Sequence, residues 1–184
     1  MRHSKLVTVF VSLLGLALTV PAVCLGQVQP AATKTKINAL YSCKGKEKLV
    51  IEKNTFNVTK DVLVYAREKC TVVIKKAVIN APMVVDAADS ARVKLKDCTI
   101  NVSKTAVRAA DSSFVEMEDV VINGPEGIVA SGKARVELED ATLNAATAIM
   151  ATGRSIVTLD DAMVTGKKVT KDKAKIVDEE EEDD

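Results

Sequence analysis

The sequence predicts an all-β fold: a single-stranded, right-handed parallel β-helix (β-solenoid) of about six rungs, with 21–23 residues in each. Three observations predict it. Nine-residue segments starting at Leu49, Val72, Val93, Val115, Val136 and Val157 superpose without gaps, their starts 23, 21, 22, 21 and 21 residues apart. Within each segment apolar and polar side chains alternate with the two-residue period of a pleated strand. A second, shorter strand follows each of the first five segments and superposes as well. A fixed period of this length marks a stacked repeat in which no unit can bury its hydrophobic face alone.

The elements follow in order. In the first strand, Leu49, Val72, Val93, Val115, Val136 and Val157 form one inward column, and Ile51, Ile74, Leu95, Met117, Leu138 and Leu159 form the next. Beyond a bend, Phe56, Ile79, Ile100, Ile122, Leu143 and Val164 make a third column. Small or medium groups at Ala77, Cys98, Val120, Ala141 and Ala162 stand two residues before it. The closing strand places Val64, Val85, Val107, Ile128 and Ile149 inward, with Ala66, Ala87, Ala109, Ala130 and Ala151 beside them. Tyr65, Asp86, Arg108, Val129 and Met150 lie between and face the other way. Stacked on an axis, each rung buries four large aliphatics, worth about 1.5–3 kcal/mol apiece. The right-handed sense follows from the preference of parallel crossovers. A left-handed β-helix would need a six-residue period, and leucine-rich repeats would show helical three-four spacing between strands; neither is present.

Asn57, Asn80, Asn101, Asn123 and Asn144 close the third strand in register, and Thr165 takes the sixth place. Asparagine tolerates the left-handed backbone of a sharp turn, and its amide can both donate and accept along a stack. Here the chain resembles the right-handed parallel β-helix superfamily of pectate-lyase-like proteins, whose members carry asparagine ladders at one turn. It also resembles small secreted bacterial β-solenoids with a cysteine near the start and another one rung later, as at Cys43 and Cys70. The resemblance spans about residues 43–165.

The ends differ from the repeat. Arg2, His3 and Lys5 precede an apolar run from Leu6 to Val20, then small residues, which is the order of a secretory signal peptide and too short to span a membrane comfortably. Residues 1–26 are therefore read as a signal segment cleaved after Gly26, with Ala22 as the alternative site. Pro21, Ala22 and Val23 fit poorly with a lipidation motif, which argues against a lipid anchor at Cys24. The destination is periplasmic or extracellular. Residues 27–42 read as linker and N-terminal cap, 43–166 as the β-helix, and 167–184 as a charged tail, disordered from about 178. The tail could begin as a partial seventh rung through Val169 and Ile176.

Of 26 basic and 25 acidic residues, Arg2 and Lys5 leave with the signal segment, so the remainder carries a net charge of −1. That is no footprint for nucleic acid. The single histidine, His3, leaves too, which excludes mechanisms that need an imidazole base or a His-ligated zinc. Three cysteines remain, Cys43, Cys70 and Cys98, in a compartment that permits disulfides. A bridge between Cys43 and Cys70 would pin the cap to the first rung; the alternative is three free thiols.

Three surfaces invite a functional reading. Asp97, Asp119, Asp140 and Asp161 occupy equivalent places on consecutive rungs, about 4.8 Å apart, where carboxylates repel. Capping by backbone N–H groups would relieve this and is the preferred reading; bound calcium is the alternative. Glu116, Glu118, Glu137 and Glu139 form an acidic patch that could dock a cationic partner. Asp86 beside Arg108, with Asp89 and Asp111 a turn away, is the nearest imitation of a lyase site, and reads more simply as an exposed cross-rung ion pair. Aromatic platforms for sugar stacking are scarce. No long turn is available to wall a pocket. The sequence thus predicts no cofactor and no catalytic residue. It predicts a non-enzymatic structural or binding solenoid of the bacterial cell envelope, its partner a protein or envelope polymer. The alternatives are a minimal polysaccharide-acting enzyme and a calcium-binding solenoid.

Overall fold

The repeat requires residues one period apart to become neighbours in space, and the backbone pairing shows that they do. The computed structural model describes residues 38–179. Thirteen strands and no helix occur among them. In chain order they are β1 (Ala39–Cys43), β2 (Lys48–Glu52), β3 (Thr55–Asn57), β4 (Val62–Ala66), β5 (Thr71–Lys75), β6 (Val78–Ala87), β7 (Arg92–Ala109), β8 (Phe114–Ala130), β9 (Arg135–Glu139), β10 (Thr142–Ala151), β11 (Ile156–Asp160), β12 (Met163–Thr170) and β13 (Lys175–Glu179).

All the pairings are parallel, and they stack the chain as a β-solenoid of about seven turns. One wall runs β2, β5, the start of β7, the start of β8, β9, β11 and β13. The predicted columns are its register: Leu49 pairs Val72, Val72 pairs Val93, Val93 pairs Val115, Val115 pairs Val136 and Val136 pairs Val157. The second wall aligns Phe56, Ile79, Ile100, Ile122, Leu143 and Val164. The third aligns Val64, Val85, Val107, Ile128 and Ile149.

Burial follows the alternation. Ile74, Ile79, Leu95, Ile100, Met117, Ile122, Ile128, Leu143 and Ile149 are wholly inaccessible, so the core is one apolar column along the axis. Tyr41 meets Phe56 edge-on, ring centroids 6.3 Å apart at 89°, and both pack against the end of that column.

The coil extends further at both ends than the sequence boundaries of 43 and 166. β1 precedes Cys43 and pairs with β4. The lysine-rich segment forms β12 and β13, with Val169 beside Met150 and Ile176 beside Val157. Asp178 and Glu179 belong to β13. The seventh coil is shorter because its bend is cut. Between the second and third walls the chain takes five steps from Asn144 to Ile149, but only three from Thr165 to Lys168. Gly166 makes the cut at φ 122°, and a Cβ there would overlap the Ala145 carbonyl oxygen. The predicted signal segment, Cys24 and residues 180–184 lie outside the described residues. No helix of the described residues is long and apolar enough to cross a membrane.

Candidate functional site

Two corners of each coil need a left-handed residue, and they are not where the asparagines stand. At the first corner φ is positive at Lys53, Lys76, Asp97, Asp119, Asp140 and Asp161. At the second it is positive at Gly45, Glu68, Asp89, Asp111, Gly132, Gly153 and Asp172. This corrects the expectation for the asparagines, whose backbone is extended strand; Asp and Asn share the ability to enter this region. The asparagine side chains bond instead to one another. Nδ2 donates to Oδ1 of the preceding coil from Asn80 to Asn57 (2.9 Å), Asn101 to Asn80 (3.0 Å), Asn123 to Asn101 (3.1 Å) and Asn144 to Asn123 (3.1 Å).

The aspartate column requires a second correction. Asp97, Asp119, Asp140 and Asp161 are exposed corner residues, and their carboxylates accept no backbone N–H among the described residues. Facing water, they are screened rather than capped. Capping occurs at the other corner. There the N–H of Glu68 donates to Asp89 Oδ2 (3.0 Å), that of Asp89 to Asp111 Oδ2 (3.3 Å), and that of Gly153 to Asp172 Oδ2 (3.1 Å). No group of three or more His, Cys, Asp or Glu side chains among the described residues converges as a metal site.

The four glutamates divide into two pairs. Lys94 Nζ lies 2.5 Å from Glu116 Oε1 and 2.9 Å from Glu118 Oε2, and Lys96 pairs with Glu118. Hydrogen bonds from Lys96 and Lys94 hold the Glu118 carboxyl below its usual range, and those to Glu116 and Glu118 hold Lys94 protonated above its own. Glu116 and Glu118 are therefore neutralised in place. Glu137 and Glu139, one coil on, have no such partner among the described residues, and the acidic register continues through Asp160 to Glu179. Glu137 is pushed up by partial desolvation and by the charge of Glu116. Glu137, Glu139, Thr158, Asp160 and Glu179 line a recess of about 270 Å³ on this wall. The acidic patch is thus displaced toward the C-terminal coils.

Asp86 is not the exposed partner that its column suggested. It retains 3% of its accessible surface, and Arg67, nineteen residues earlier, holds it. Arg67 Nη2 donates to Asp86 Oδ1 (2.9 Å), Nη1 donates to the carbonyls of Asp86 (2.6 Å) and Ala66 (2.8 Å), and the guanidinium lies 3.7 Å from the Tyr65 ring centroid. Arg108 Nη1 is more distant, 3.9 Å from Asp86 Oδ2. Sequence reasoning missed Arg67 because it sits on the turn rather than in a strand column.

Cys43, Cys70 and Cys98 are buried free thiols, so the structure has the unbridged alternative. Burial and the adjacent Cys70 thiol push Cys43 up to about 12. Such a thiol is inert at neutral pH. Comparisons with family models, with curated proteins and with solved structures found no match in any of the three.

Proposed function

We propose that this chain is a non-enzymatic, exported scaffold of the bacterial cell envelope, related in kind to pectate-lyase-like β-helices, that docks a cationic partner on its acidic wall. The observation that carries this reading is the run Glu139, Asp160 and Glu179 in register on successive coils, with Glu137 beside Glu139 on the same strand, past the point where Lys94 and Lys96 pair with the wall. Packed side chains fill the interior, so binding at a surface asks least of the fold. Unpaired carboxylates on a rigid sheet present a fixed array, which favours partner selection and capture rate over raw affinity. The asparagine ladder and the stacked core supply that rigidity.

Capture from native envelope with the tagged protein tests the reading. The wild type is expected to retain a basic partner at low salt and to release it near 0.5 M salt. A Glu137→Gln, Glu139→Gln, Asp160→Asn, Glu179→Gln variant, folded by circular dichroism, is expected not to retain it. Equal capture by the variant contradicts the acidic wall as the dock. Release of product from uronate polymers by the wild type and not by Arg108→Ala would contradict the non-enzymatic reading.

A further inference from the structure

The capped corner has a gap, and the gap has a chemistry. Wherever the next coil carries aspartate at this corner, at Asp89, Asp111 and Asp172, its carboxylate accepts the N–H of the residue below. Two consecutive coils carry glycine instead, Gly132 and Gly153. The N–H groups of Asp111 and Gly132 accordingly have no partner among the described residues. A Cβ on Gly132 would come 2.9 Å from Asp111 N, and one on Gly153 3.0 Å from Gly132 O, too close for an ordinary side chain, so these two coils close up on each other without a capping carboxylate.

What surrounds this space is basic. Lys133, Arg154 and Lys173 follow the corner on three successive coils, stacked by the bonds Lys133 N to Asp111 O, Arg154 N to Gly132 O and Lys173 N to Gly153 O. All three are exposed, and none makes an ion pair among the described residues. Neighbours on one wall stand about 4.8 Å apart, so the three cations repel one another as they stand. These residues line a groove of about 810 Å³, bracketed by Asp111 and Asp172. Unpartnered N–H groups beside cations favour an anion.

We propose that this corner groove is a binding site for a carboxylate ligand, seated on the N–H groups of Asp111 and Gly132 and held by Lys133, Arg154 and Lys173. The ligand class is read from the repeat itself, because in the capped coils a carboxylate fills the same place. Two open donors one coil apart suit two carboxylates about 5 Å apart. The site lies away from the acidic wall, so it stands or falls independently of the docking reading.

Amide shifts of the ¹⁵N-labelled full chain, titrated with glutarate at constant ionic strength, test it. Glutarate is expected to move the Asp111 and Gly132 amides saturably and to bind at least tenfold tighter than acetate, while the neutral glutaramide moves neither. Lys133→Gln with Arg154→Gln, which leaves the backbone untouched, is expected to weaken glutarate at least tenfold. If glutarate binds only after residues 180–184 are neutralised by amide substitution, the carboxylate chemistry holds and the chain's own acidic end is its source. Shifts that do not saturate, or that fall equally on the capped amides of Glu68 and Asp89, would overturn the proposal.

Discussion

Asp86 is the one charged side chain that the described coils take almost wholly out of water, and Arg67 makes that tolerable. A buried carboxylate left without its partner costs about 3–5 kcal/mol. Arg67→Ala is expected near the lower end, about 3 kcal/mol, because Arg108 stands within reach at 3.9 Å. Arg108→Ala is expected to cost less than about 1 kcal/mol, since that contact is long and half in solvent. Urea unfolding of the two variants checks the order. Glu137 offers a pH test. Its folded-state pKa is raised by desolvation and by Glu116. The native state therefore holds this proton more tightly than the unfolded chain does, an advantage present at low pH and lost as pH rises through the folded value. Glu137→Gln is expected to stabilise at pH 7 by no more than about 0.5 kcal/mol, and to change nothing at a pH below both values, where the carboxyl is protonated in either state. Paired thermal melts read both numbers.

Strand walls were the most legible elements, because alternation fixes which side of each residue is buried and the period fixes which residues stack. Leu95 and Lys96 are adjacent, one inaccessible and one on the outer face. Leu95→Asp is expected to cost more than about 4 kcal/mol or to prevent folding, by burying an unpaired charge. Lys96→Asp loses its solvent-exposed pair with Glu118 and is expected to leave stability nearly unchanged. Circular dichroism and denaturant titration separate the two. Corners were less legible. The left-handed position is held by Lys53 and Lys76 in the first two coils and by aspartate only later, so identity does not mark it. The asparagines, constant through five coils, drew the eye to the wrong corner. The candidate sites were legible as columns but not in their pairing. Lysines of one coil neutralise glutamates of the next, and a turn arginine reaches Asp86 from outside any column.

At the scale of the molecule, each coil lies on the next and the whole is a linear stack. Its last turn was hard to foresee because the bend at Gly166 is two residues shorter and Lys168 takes the place of the third wall's aliphatic column beside Ile149. The outward column Val50, Val73, Lys94, Glu116, Glu137, Thr158 and Val177 runs the length of the described coils. Val50 and Val177 are 49% and 37% exposed, open to labelling, whereas the three native thiols are buried. Pulsed electron–electron distances between spin labels at Val50 and, in turn, Glu137, Thr158 and Val177 test the stack most directly. Four, five and six coils at about 4.8 Å each predict separations of about 19, 24 and 29 Å, increasing in equal steps. Distances that fail to increase in that order, or a Val50 to Val177 separation far from about 29 Å, would contradict it.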